Sequence, residues 1–223
     1  MSQKAKNLLT KYSHIWLLLY LPIYLTLFFF LERTNINPKN IIHISLDNHI
    51  PFIEYFIVPY LLWFFFVLLT VVYFFFANKE EYYRYVLLMI VGMTIFLIIS
   101  FLYPNGLRLR PTVFDRNNIF VNMVRQLYET DTATNVLPSL HVYNSLCTYI
   151  AIAHNQKLNS NLWIRYSSLI LTISIVLATM FLKQHSIVDV VAAFILTAML
   201  YPFFYPLHVR NAMKANKQTI KTH

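Results

Sequence analysis

YFIVPYLLWFFFVLLTVVYFFFANKEEYYRYVLLMIVGMTIFLIISFLY, residues 55–103, holds two long apolar runs parted by the seven residues NKEEYYR. Each run, 55–77 and 85–103, is close to the ~20 residues that an α-helix needs to cross the hydrocarbon of a bilayer. The break between them is too short to fold by itself, so the stretch reads as two helices that cross and return. Comparable apolar runs recur at roughly 14–31, 137–154, 162–182 and 187–207. The expectation is an all-α integral membrane bundle of six transmembrane helices, one domain over residues 1–223 with short basic tails. Composition agrees. Of 223 residues 58% are hydrophobic and only 12% charged, too few charges to cover a soluble surface of that size. No internal repeat or low-complexity linker interrupts the pattern. The first run follows Lys4, Lys6 and Lys11 without a small-residue cleavage site after it, and reads as a retained anchor helix. The single cysteine, Cys147, rules out an internal disulfide and reads as a small buried apolar residue.

A net charge of +9 invites a nucleic-acid reading, and sorting charges by side removes it. With the N-terminus cytosolic, the inner segments carry Lys4, Lys6, Lys11, Lys79, Arg84, Lys157, Arg165, Arg210, Lys214, Lys217 and Lys221 against only Glu80 and Glu81. The outer segments carry Arg33, Lys39, Arg108, Arg110, Arg116, Arg125 and Lys183 against seven acids, and balance. The excess follows the positive-inside rule, places both termini in the cytosol, and implies contact with membrane lipids rather than nucleic acid.

The outer segments hold the chemistry. Residues 32–54 mix polar and aromatic side chains. In 104–136, Ile119, Phe120, Met123, Val124 and Leu127 recur at helical spacing and predict a short amphipathic helix at the membrane surface. NVLPSLH follows, with Asn135 able to cap a helix and Pro138 suited to its first turn. Ser139 and His141 then sit where free N–H groups and the helix dipole favour an anion. In KQHSIVD, His185 and Asp189 are four residues apart, one face of a helix. A carboxylate on Nδ1–H fixes the imidazole tautomer and leaves Nε2 as a directed nucleophile or base. An unpaired Asp189 at the start of a span would be costly, which strengthens that pairing. RLRP presents Arg108 and Arg110, whose planar forks suit a phosphate clamp. The remaining histidines (His14, His43, His49, His154, His208, His223) read as interfacial residues, and Arg116 and Arg125 as solvated charges. No acidic cluster suited to a divalent cation accompanies the histidines, so neither a metal nor another cofactor is expected.

Taken in order, Arg110-Pro111, then Pro138-Ser139-Leu140-His141, then His185 with Asp189, the chain resembles the type-2 phosphatidic acid phosphatase superfamily of membrane lipid phosphatases. The resemblance implies that His185 attacks phosphorus to form a phosphohistidine, that Asp189 orients it, and that His141 protonates the leaving alkoxide. It implies that Ser139 and basic groups hold the phosphate oxygens. Two positions depart from the pattern. A lysine usual seven residues before Arg110 is Tyr103, and an arginine usual six before His185 is Thr179. Lys183 and Arg108 stand as candidate substitutes. The variant third signature resembles the inositol-phosphorylceramide synthase-like branch, whose members move a phosphoryl headgroup between alcohols.

Three functions follow as expectations. The first is a metal-independent phosphatase for a lipid phosphate or diphosphate, such as undecaprenyl diphosphate or a phosphatidate-like lipid, working on the extracytoplasmic face (lumenal in a eukaryote). The second is a headgroup phosphotransferase using the same site. The third is a non-catalytic membrane scaffold. Neither the lipid tail nor the oligomeric state is legible in the sequence.

Overall fold

Backbone surrounded by hydrocarbon has no water to bond, so apolar runs of this length fold as helices that satisfy their N–H and C=O groups internally. The computed structural model describes residues 12–206 apart from residue 36. Seven of the eleven inner cations (Lys4, Lys6, Lys11, Arg210, Lys214, Lys217 and Lys221), with His208 and His223, lie outside the described residues. The helices are α1 (Ser13–Thr34, opening with 3-10 turns over Ser13–Leu19), α2 (Ile57–Ala77, entered through a 3-10 turn at Glu54–Phe56), α3 (Lys79–Leu102), α4 (Ile119–Thr130), α5 (Leu140–His154), α6 (Gln156–Ser160), α7 (Leu162–Phe181) and α8 (Ile187–Phe204). Five of these are long and apolar enough to cross a membrane: α1, α2 with its entry turn, α3, α7 and α8. Leu69, Phe76, Phe101 and Phe203 lie exposed on their outer faces, as lipid-facing side chains do.

The helix α5 differs from the run expected over 137–154. It has 15 residues, about 22 Å at 1.5 Å per residue, against a hydrocarbon core of ~30 Å. It packs against α2, α3, α7 and α8 and so forms the middle of the bundle. A helix enclosed by others need not span by itself, because its ends meet protein instead of lipid. Tyr143 and Cys147 are fully buried along it, Tyr143 donates its hydroxyl to the Leu88 carbonyl at 2.6 Å, and the Tyr85 and Thr148 hydroxyls meet at 2.8 Å.

Local chemistry explains the helix boundaries. Asn78 caps α3 by accepting from the N–H groups of Glu80 (3.0 Å) and Glu81 (3.1 Å), and both acids complement the dipole of the first turn. The short NKEE break therefore reverses the chain tightly. The predicted amphipathic helix is α4: Phe120, Met123, Val124 and Leu127 pack with Ile57 and Tyr60, while Ile119 stays exposed. Two connections gather at the site end of the bundle. Two-residue strands β1 (Asn40–Ile41) and β2 (Asn105–Gly106) pair in parallel, and Gly106 also bridges to Thr134. The segments leading to RLRP and PSLH are thereby stitched to the first connection.

At the opposite end, His14 is buried with Nε2–H donated to the Phe75 carbonyl at 3.0 Å, and His154 packs against Tyr205. His14 is thus packed inside the bundle instead of standing open at an interface.

Gly92 fixes how closely α3 and α5 approach. A Cβ there would overlap the ring of Tyr143. Gly92→Ala is expected to cost about 1–3 kcal/mol through overpacking, read as a lower unfolding midpoint in detergent; an unchanged midpoint would show that Tyr143 has room to move.

Candidate active site

Three elements bring the sequence-predicted residues to one end of the bundle, the turn between α7 and α8, the start of α5 and the segment before α4, and α2 adds two aromatic rings. The turn is built first. A Schellman motif ends α7, with Lys183 N–H donating to Met180 C=O (3.0 Å) and Gln184 N–H to Thr179 C=O (2.9 Å). Lys183 takes the left-handed φ of 53° that glycine usually takes at this position. His185 also donates its N–H to the Thr179 carbonyl, at 3.0 Å. Thr179, where the resemblance leads one to expect an arginine, is thus a buried support of the turn, its own hydroxyl bonded to Val176 C=O.

Ser186 is the N-cap of α8 and Asp189 its third residue, a capping box. Asp189 Oδ2 accepts from Ser186 N–H at 2.9 Å and from His185 Nδ1 at 3.4 Å. The expected His185–Asp189 pair therefore forms, for a different local reason. His185 lies just before the helix, and the capping geometry turns Asp189 back onto it. His185 Nε2 has no hydrogen bond to a described residue.

His141 lies in the first turn of α5, with its ring centroid 6.2 Å from that of His185. Asn135 is not the cap that the sequence suggested. It adopts φ 52° and accepts at Oδ1 from Asn35 Nδ2–H at 2.8 Å. Pro138 stands before the helix, and Ser139 is the N-cap, its Oγ accepting from Val142 N–H at 3.4 Å. The helix starts later because Ser139 spends its own N–H on the Asp189 carbonyl, at 3.1 Å, tying the two motifs together.

The ring of His141 is sandwiched. Tyr60 stacks on it at 4.4 Å and Trp63 lies at 4.4 Å, tilted by 48°. Tyr60 and Trp63, three apart on α2, went unread because an aromatic in an apolar run looks like any lipid-facing side chain. Tyr60 in turn donates its hydroxyl to Asp131 Oδ2 at 2.9 Å.

The basic candidates separate. Arg110 is half-buried, its guanidinium 4.5 Å over the ring of Tyr128, donating to the Tyr128 carbonyl at 3.2 Å and to Gln184 Oε1. Its Nε and Gln184 Nε2 are buried donors lacking an acceptor among the described residues. Burial lowers the Arg110 pKa, against the opposing pull of Asp131. Arg108 is exposed with no polar partner among the described residues. Lys183 points elsewhere: its Nζ donates to the backbone carbonyls of Asp47 (2.9 Å) and Ile50 (2.5 Å) in the first connection. Tyr103 is exposed at the end of α3. Arg116, read as a solvated charge, is 66% exposed yet reaches the buried carboxylate of Glu54 at 3.1 Å.

The arrangement can carry a phosphoryl group. It offers an imidazole oriented by a carboxylate, a second imidazole across from it, and buried donors of the kind that satisfy an oxyanion. Among the described residues no group of histidines, cysteines and acids could hold a metal ion.

The family model of the PAP2 superfamily matches residues 83–213, more than half of the chain. No curated protein and no solved structure matches it. Arg110, Ser139, His141, His185 and Asp189 fall inside the matched segment, while Asp47, Tyr60 and Trp63 precede it.

Asp131 is the site's unread acid. Burial raises its pKa above the ordinary carboxylate value, only partly offset by the Tyr60 bond and by Arg110 and His185. The folded chain then binds this proton more tightly than the unfolded chain. Its favourable contribution holds below the ordinary carboxylate pKa and is lost as pH rises through the raised value. Asp131→Asn keeps an acceptor for Tyr60 and is expected to raise the unfolding midpoint more at about pH 7 than at about pH 4; an equal effect at both would refute the shift.

Proposed function

The chain belongs to the PAP2 superfamily, and on that footing we propose that it is a multi-pass membrane enzyme hydrolysing a lipid phosphate or diphosphate through a phosphohistidine. The observation that carries the proposal is the His185–Asp189 pair facing His141 across 6.2 Å between ring centroids. The phosphate sits between the histidines and meets Arg110, Gln184 Nε2 and Ser139. Their donors stabilise the charge that develops on the equatorial oxygens. His185 Nε2 attacks phosphorus as the P–O bond to the lipid breaks, and His141 gives its proton to the departing oxygen. The faces of Tyr60 and Trp63 hold the ring of His141 in place. A water then loses a proton to His141 and attacks the phosphohistidine. The N–P bond breaks and phosphate leaves. Substrates in keeping with this chemistry are undecaprenyl diphosphate and phosphatidate-like lipids.

The bundle crosses six times in this reading, α5 with the loop before it serving as the fourth crossing. Both termini are cytosolic and the site opens on the extracytoplasmic side. The charge sorting of the sequence supports that placement.

A specific feature favours a second reading, a headgroup phosphotransferase. Tyr103 and Thr179 stand where two signature cations would be, Lys183 is tethered to loop carbonyls, and Asp131 puts a carboxylate near Arg110. A site with few cations suits a phosphodiester, with one negative charge, better than a monoester dianion. An alcohol in place of water then completes the transfer from the same intermediate.

Purified protein in detergent with chelator, offered lipid monophosphates, diphosphates and phosphodiesters with and without alcohol acceptors, tests both. The expected result is phosphate release that survives chelation and is lost by at least about 10³-fold in His185→Ala. Asp189→Asn is expected to fall less far. Product formed only with an acceptor would shift the assignment to the transferase, and a wild type as silent as His185→Ala across the panel would leave only the scaffold.

A further inference from the structure

The first connection, between α1 and α2, precedes the family-matched segment, yet it is fastened to the site at several points. Ile42 donates its N–H to Gly106 C=O at 2.9 Å, beside the strand that leads to RLRP. Ile53 donates to Phe181 C=O at 3.1 Å, at the end of α7. Between these anchors a 3-10 turn, Ser45–His49, carries Asp47, only 1% exposed and in contact with the start of α8.

Asp47 is committed to that turn. Its Oδ1 accepts from Ile187 N–H at 2.9 Å, and its Oδ2 from the Ser186 hydroxyl at 2.7 Å and from Ile44 N–H at 2.9 Å. Three donors and the positive end of α8 compensate a carboxylate that burial would otherwise make costly. Lys183 Nζ closes the clasp from the other side through the Asp47 and Ile50 carbonyls, which accounts for a lysine at a left-handed position.

We propose that Asp47 is a positioning residue that sets the orientation of His185 through Ser186 and Asp189, a role that rests on the catalytic reading of that histidine. The relay is continuous. Ser186 Oγ accepts from Val188 N–H at 3.1 Å, so its own proton needs an acceptor, and Asp47 supplies it. That fixes the Ser186 rotamer and the cap. Ser186 N–H and His185 Nδ1 share one oxygen, Asp189 Oδ2. A shift of the cap therefore moves the oxygen that selects the His185 tautomer. Without Asp47, the Ser186 hydroxyl and Ile187 N–H lose their acceptors in a buried place, and the turn must rearrange to satisfy them.

Two readouts test this in the full chain. In the phosphate-release assay, Asp47→Asn, which replaces one acceptor by a donor, and Asp47→Ala are expected to lower kcat by about 100-fold with KM little changed. Ser186→Ala cuts the same relay while leaving Asp47 on Ile187 and Ile44, and is expected to act in the same direction. His43→Ala, on the exposed His43–Asn48 pair of the same connection, is expected to leave kcat unchanged. Independently of turnover, spectra of 15N-histidine-labelled protein, assigned with His185→Asn, should show His185 as the Nδ1–H tautomer in wild type. In Asp47→Asn that form should give way to a mixture. A folded Asp47→Asn protein with wild-type kcat, while His185→Ala is dead, overturns the proposal and leaves the catalytic reading standing. If the wild type is itself inactive, the catalytic reading fails, and an unchanged His185 tautomer in Asp47→Asn overturns the positioning role on its own evidence.

Discussion

A helix end inside an apolar bundle must find partners for its free N–H groups, and the start of α8 meets that demand with side chains that also form the site. Asp47, Ser186 and Asp189 share it, taking the N–H groups of Ile187, Val188 and Ser186 in turn. The Asp189 carboxylate accepts from Ser186 N–H and from His185 Nδ1, and its own carbonyl accepts from Ser139 N–H. One residue thus caps a helix, orients an imidazole and joins the two motifs on α5 and α8. A hydrogen bond offsets the cost of burying a polar group, so the cap and the site share one set of bonds.

The same constraint accounts for the middle of the bundle. Helix α5 is too short to cross by itself, and non-helical backbone lies before it at Asn135–Ser139. That backbone is accommodated because protein surrounds it. Asn105 Oδ1 takes the N–H groups of Val136 and Leu137 at 2.9 and 3.1 Å, and Asn105 C=O takes that of Asn135 at 2.7 Å. These bonds hold His141 at the start of α5 within reach of His185, while Tyr60 and Trp63 set its ring plane from α2. An apolar helix that faces lipid on one side is in this way also the wall of a polar site on the other.

Hydropathy made the helices legible, because crossing a bilayer demands length and apolarity at once. It also overextended one of them, since an enclosed helix obeys no length rule. The three signatures made His141, His185, Asp189 and Arg110 legible as a set. Their local geometry was not. Spacing placed His185 and Asp189 on one helical face, whereas the pair arises from a capping box with His185 outside the helix. Lys183 looked like a phosphate cation because charge in a sequence carries no direction. Its carbonyl partners lie more than 130 residues away, at a distance no pattern reading covers. Tyr60, Trp63, Gln184, Asp131 and Asp47 were hidden for the same reason: each acts through a tertiary contact, and none belongs to a residue type or spacing that signals chemistry by itself.

The loss of two signature cations bears on how the turn is held. Thr179 replaces a large charged side chain with a small one bonded to its own helix, and its carbonyl receives two N–H groups of the turn. An arginine there would bring a guanidinium needing further acceptors in a buried place. With threonine, the turn closes tightly on backbone bonds, and Lys183 clasps the first connection. The positive charge of Lys183 thus fastens the loop that carries Asp47. Backbone bonds and the lysine clasp together hold the segment on which His185 and Asp189 pair.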